Sequence, residues 1–97
     1  MLTSRQRSYL RSVSNDMKDS VHIGKEGLTS NILGQIDEFL EANEIIKIKL
    51  QQNCSEDIKE IASDISRLTG SDTVAVIGRK IIMYRKSQKN ASIFLPR

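Results

Sequence analysis

The sequence predicts an α/β protein: one compact domain over residues 1–97, with a small mixed four-stranded sheet and packed helices, in the order α-β-α-β-α-β-β. Three observations predict it. Segments with apolar residues at helical spacing alternate with short segments of strand character, the pattern of a sheet covered by helices. Two glycines three apart, Gly24 and Gly27, carry the first strand into a helix start. Gly78-Arg79-Lys80 separates the last two strands by a short, glycine-bearing spacing that signals a hairpin. A chain of 97 residues is long enough for one core and too short for two.

Residues 4 to 18 read as the first helix, with Tyr9, Leu10, Val13 and Met17 on one stripe. Arg7, Arg11 and Lys18 share another face, either a basic ridge or simply the wet side. Val21-His22-Ile23 is a short strand in which His22 faces away from its β-branched neighbours. Thr29 is placed to cap a second helix from about Ser30 to Ala42. Ile32, Leu33, Ile36, Phe39 and Leu40 form its buried stripe, and Asp37, Glu38 and Glu41 read as a solvated outer face.

From Ile45 to Gln51 the pattern alternates, with Ile46, Ile48 and Leu50 inward and Lys47 and Lys49 outward. Asn53 or Ser55 can cap a third helix with the stripe Ile58, Ile61, Ala62, Ile65 and Leu68, stopped by Gly70. Thr73 to Ile77 and Ile81 to Arg85 are the hairpin strands; Val74 to Ile77 is apolar on both sides, which predicts a central strand. Ser92 to Leu95 is expected to add a short edge strand ahead of Pro96. Strands joined through helices are expected to pair in parallel, and the final hairpin adds an antiparallel strand.

Composition excludes several function classes. No apolar run approaches the ~20 residues of a membrane span. The first five residues lack the apolar region of a signal peptide, so a cytoplasmic protein with no membrane partner is expected. A single Cys54 and a single His22, on different elements, offer no disulfide, zinc site or nucleophile–base pair. No Walker-type loop or nucleophile elbow is present. The expectation is a non-enzyme with no cofactor, no metal and no small-molecule substrate.

The net charge is +3, but it is uneven: after Asp72 come Arg79, Lys80, Arg85, Lys86, Lys89 and Arg97 with no acid among them. A basic end on a folded domain favours a polyanion, unless it is only a solvated tail. The glycine loop suits the same partner. Glycines allow close backbone approach, and the helix beginning at Thr29 directs its positive dipole end toward the loop. Tyr84, beside Arg85 and Lys86, either stacks on a base or packs in the sheet.

Five segments in register then resemble the CRM domain family (chloroplast RNA splicing and ribosome maturation), most closely its free-standing bacterial members. They are Leu2-Thr3-Ser4-Arg5-Gln6-Arg7 with Leu10-Arg11, Ile23-Gly24-Lys25-Glu26-Gly27-Leu28-Thr29, Glu44-Ile45-Ile46-Lys47-Ile48-Lys49, Leu68-Thr69-Gly70, and the run from Ile77-Gly78-Arg79-Lys80 to Arg85. Ser71 departs from a second glycine common in the plant members.

The resemblance implies a fold similar to the C-terminal domain of translation initiation factor three. It implies a GxxG loop comparable to that of KH domains, RNA binding, and association with precursors of the large ribosomal subunit. On this chain the loop is Gly24, Lys25, Glu26 and Gly27, ahead of Thr29. Lys47, Lys49, Arg79, Lys80 and Arg85 are the expected phosphate contacts, with Arg5, Arg7 and Arg11 as an extension. The alternative is a protein-interaction module that reaches ribosomal particles through a ribosomal protein, a reading that the mixed charge and the acidic face of the second helix fit.

Overall fold

Helix α1 (Ser4–Ser14) starts on a reciprocal cap: Thr3 Oγ1 accepts from the Gln6 N–H at 3.1 Å, and Gln6 Oε1 accepts from the Thr3 N–H at 3.0 Å. The computed structural model describes residues 2–89 and 91–97. The helix stops four residues short of the expected 18. Its end is closed from outside, because Lys47 Nζ donates to the carbonyls of Ser14 (3.1 Å) and Met17 (3.3 Å). The chain then runs extended into strand β1 (Val21–Ile23).

Thr29 caps α2 (Ser30–Asn43), its hydroxyl accepting from the Ile32 N–H at 3.2 Å. Strand β2 (Ile45–Leu50) follows, then α3 (Ile58–Thr69). The α3 cap is Asp57, not Asn53 or Ser55: its carboxylate accepts from the Lys59 N–H at 3.0 Å, while 51–54 is occupied by a turn. Gly70, at φ 69°, ends α3 in the left-handed conformation. Strands β3 (Asp72–Ile77) and β4 (Lys80–Tyr84) form the hairpin.

The sheet order is β1-β2-β4-β3, with β1 parallel to β2 and β4 antiparallel to both its neighbours. The hairpin therefore inserts β4 between β2 and β3, so those two do not pair, contrary to expectation. Strand β3 is an edge, not the centre. It is apolar on both sides because both faces are covered: Val74 and Ala75 pack on the α1 side, Val76 on the side of α2 and α3.

The two faces of the sheet hold separate clusters. Ile23, Ile46, Ile48, Ile81 and Met83 meet Ile36 and Leu40 of α2 and Ile61 and Ile65 of α3. On the other face Ile45, Ile82 and Tyr84 meet Leu10 of α1 and, from the C-terminal tail, Ile93 and Leu95. Tyr84 is packed in this layer, so of its two expected fates the sheet wins.

The tail is not the expected edge strand. Its N–H groups go to a carboxylate: Glu44, fully buried, accepts from the N–H groups of Ser87 (2.8 Å), Ser92 (2.6 Å) and Ile93 (2.9 Å). Glu41 accepts from the Ser87 hydroxyl at 2.6 Å and the Lys89 N–H at 3.2 Å. Asp37 holds Arg85 at 2.6 Å. The face of α2 expected to be solvated thus supplies two clamps.

Lys47 gives a direct test of this framework. Lys47→Met keeps the aliphatic stem but removes the charged donor, so the end of α1 loses its external partner. A loss of about 1–3 kcal/mol in urea unfolding is expected. An unchanged midpoint would show that the two carbonyls find water just as well.

Candidate nucleic-acid interface

Strand directions bring several expected residues to one end of the sheet. β1 and β2 both finish there, at Ile23 and Leu50, and the β3–β4 hairpin turns there through Gly78 and Arg79. Directly after β1, the loop closes as a turn, with the Gly27 N–H donating to the Gly24 carbonyl at 3.0 Å. That N–H is therefore not available to a ligand. Lys25 and Glu26 at the turn's apex are exposed, and α2 begins just beyond with its positive dipole end toward them.

Both glycines have neighbours. Gly27 is buried at φ 70°, a conformation that strains any L side chain, and an added Cβ would fall on the Glu56 carboxylate. A Cβ on Gly24 would stand 2.8 Å from Gln51 Oε1 and 3.6 Å from Asn53 Oδ1. Both covering side chains, Gln51 and Glu56, belong to exposed residues. The loop is thus a tight corner lined by amides on one flank and an acid on the other.

Register sets the cations. His22 lies opposite Lys49, and Lys49 opposite Lys80, so three basic-type side chains form one row across β1, β2 and β4 on the α1 face of the sheet. His22 and Lys49 are exposed, and Lys80 is shared with Asp19 in an ion pair at 3.2 Å. Arg79 closes the row at the hairpin tip. It holds the turn after β2 by donating to the carbonyls of Leu50 (3.3 Å), Gln51 (2.7 Å) and Cys54 (3.0 Å).

Other expected contacts lie elsewhere or are engaged. Lys47, on the same face as Lys49, is half-buried and closes α1 as described. Arg85 sits six residues from Arg79 along β4, about 20 Å away at strand rise. There it donates to Asp37 and to the Thr69 carbonyl (2.8 Å), with Glu41 at 4.0 Å. Arg5, Arg7 and Arg11 are exposed on α1; Arg7 and Arg11 line a groove with Val74 and Ala75 of the β3 edge. The Arg5 guanidinium reaches the Arg97 carbonyl at 3.5 Å.

What sequence reasoning missed is the amide cluster Gln51, Gln52 and Asn53. With Lys49, Leu50 and Arg79 it lines a cleft beside the glycine turn. The only signal was its position immediately after β2, and that carries weight only once β1 and β2 are known to end together. Among the described residues no group of His, Cys, Asp and Glu could hold a metal ion, and no helix is long and apolar enough to cross a membrane.

Comparison with known proteins agrees with this architecture. The chain is 38% identical over 96 residues to the Bacillus subtilis protein named "Probable RNA-binding protein YqeI", covering 99% of this chain and 100% of that one. It is 32% identical over 96 residues to a Haemophilus influenzae protein named "RNA-binding protein", covering 99% and 96%. The solution structure of the hypothetical protein SAV1595 from Staphylococcus aureus superposes with a TM-score of 0.83 at 44% identity, over 99% of this chain and 100% of that one. The CRS1 / YhbY (CRM) domain model matches residues 2–85, and the chain belongs to that family.

Proposed function

We propose that this chain is a non-catalytic, cytoplasmic RNA-binding protein, acting as one domain, that grips the phosphate backbone of ribosomal RNA in large-subunit precursors and assists their assembly. The observation that carries the RNA-binding part is convergence. The glycine turn, the start of α2, Lys25, His22, Lys49, Lys80 and Arg79 meet at one end of one sheet. Such an end offers positive charge and the N-terminal end of a helix to an extended anion. The names of the relatives support RNA as the partner, and the ribosomal part rests on the family resemblance.

The acidic face that would have favoured a protein partner is largely engaged, by Arg85 and by the tail. A protein-interaction reading loses its main support with it.

If about four phosphates are neutralised, log K against log salt falls with a slope of roughly −3 to −4. A slope near zero would defeat the reading. Sedimentation of a lysate tests the ribosomal part separately: the protein should travel with large-subunit precursors, and its absence from every ribosomal particle would remove that part alone.

Glu56 sharpens the electrostatics. Its carboxylate lies against Gly27, where it repels an incoming phosphate. Glu56→Gln is expected to tighten RNA binding by about 2–5-fold, with the gain shrinking as salt rises. Titration of labelled RNA at two salt concentrations reads this directly; weaker binding would mean that Glu56 supports the loop instead of opposing the ligand.

A further inference from the structure

Resting on the RNA-binding reading above, we infer that the ligand is the sugar–phosphate surface of double-helical RNA, with Gln51, Gln52 and Asn53 contacting ribose 2′-hydroxyls. The inference starts from what the cleft lacks. Many proteins that read single-stranded RNA splay its bases onto aromatic side chains or arginine planes. Here the cleft's guanidinium, Arg79, is already held by the Leu50, Gln51 and Cys54 carbonyls. This chain has two tyrosines, two phenylalanines and no tryptophan. Tyr84 is buried, Phe39 is packed against the core, and Tyr9 stands on α1. Phe94 is 86% exposed, but it lies in the tail beside Tyr84, at the far end of β4. None of the four lines the cleft at the sheet end.

What the cleft has is amides between cations. Gln51 and Asn53 rest against Gly24 on one side, and Arg79 and Lys49 flank them on the other. An amide both donates and accepts, as a 2′-hydroxyl does, so the pair can meet in either direction. A-form RNA presents those hydroxyls in a wide, shallow minor groove bordered by phosphates. An open sheet end, with amides in the middle and Lys25, Lys49 and Lys80 around them, matches that order of groups. B-form DNA offers the phosphates without the hydroxyls.

Fluorescence anisotropy on the full chain tests this with three labelled probes of one sequence: an RNA duplex of about 16 base pairs, the site length of known duplex binders, one of its strands, and the matching DNA duplex. The RNA duplex should bind roughly tenfold or more tightly than either other probe. Gln51→Ala/Asn53→Ala should weaken duplex RNA by about 5–10-fold through lost hydrogen bonds, with DNA affinity moving less than twofold. Single-stranded RNA binding as tightly as the duplex would overturn the inference and leave RNA binding standing. So would a double variant that weakens RNA and DNA equally. Failure of both RNA probes to bind would instead overturn the underlying reading, and this inference with it. The three-probe comparison uses the unaltered chain, so it stands even if the double variant folds poorly.

Discussion

Glu44→Ala is expected to lower the free energy of unfolding by about 2–4 kcal/mol, the largest stability effect of any single substitution proposed for this chain. Three tail N–H groups and the Ser92 hydroxyl converge on this one carboxylate, which is 0% exposed. Removing it leaves two ways to relax. The N–H groups can stay buried without an acceptor, or the tail can lift away and uncover Ile93, Leu95 and Tyr84. The cheaper route sets the loss, and lifting the tail caps it at a few kcal/mol. Urea unfolding measures the loss, and hydrogen exchange at Ser87, Ser92 and Ile93 identifies the route. A loss below about 1 kcal/mol with full protection at those amides would show that the clamp is dispensable.

Glu44 also carries a backbone feature. As the residue closing α2 it sits at φ 69°, the only positive value among the described non-glycine residues. Glu44→Gly removes the same carboxylate but relieves that conformation, so it should recover up to about 1 kcal/mol relative to alanine.

The clamp has a pH signature whose sign follows from its contacts. Burial pushes the Glu44 carboxyl up, but hydrogen bonds from Ser92, Ser87 and Ile93 outweigh it and leave the group below the ordinary glutamate value. Glu41 is also lowered, chiefly by the Ser87 hydroxyl, against some desolvation and with help from the Lys89 and Gln88 N–H groups and Arg85. Between the lowered and the ordinary values the unfolded chain binds more protons than the folded one, so stability falls as pH falls through that interval. Above the ordinary glutamate value the contribution is complete. Melting temperature should therefore drop on acidification, and the drop should be shallower in Glu44→Gln.

Periodicity carries most of the fold because it reports which side of an element is buried, and that is decided locally. Ile46, Ile48 and Leu50 alternate with Lys47 and Lys49, and the strand they predict is the strand that forms. What periodicity cannot report is who covers a face. Strand β3 reads as central because helices cover both its sides, and an interior strand would give the same pattern. The tail reads as a strand because its residues suit one, yet its N–H groups go to a carboxylate more than forty positions earlier.

The candidate site shows the same division. The turn at the glycine pair, the Thr29 cap and the outward face of Lys49 are legible because each is decided by neighbours along the chain. The partners of Lys47 and Arg85 are not legible, because a count of charge cannot see groups 33 and 48 positions away. The amide cluster stays invisible until parallel pairing of β1 with β2 brings Gln51 against Gly24.

That division makes a decisive contrast between two ends of the sheet. Lys25→Glu/Lys49→Glu is expected to weaken RNA binding by roughly a thousandfold at low salt. Each reversal replaces an attraction of about 1 kcal/mol with a repulsion of similar size. The salt slope should flatten by about 1.5–2, the share of two phosphate contacts. Both side chains are exposed, so stability should stay within about 0.5 kcal/mol of the parent. Arg85→Ala should behave the other way round. It abandons Asp37 and the Thr69 carbonyl and loses about 1–3 kcal/mol of stability, while affinity moves less than twofold. Anisotropy titrations and urea melts on the two proteins give four numbers with a fixed pattern. If Arg85→Ala abolished binding in a folded protein and the double reversal did not, the interface would belong at the opposite end of β4. The convergence at the glycine turn would then be only the way this chain closes its sheet.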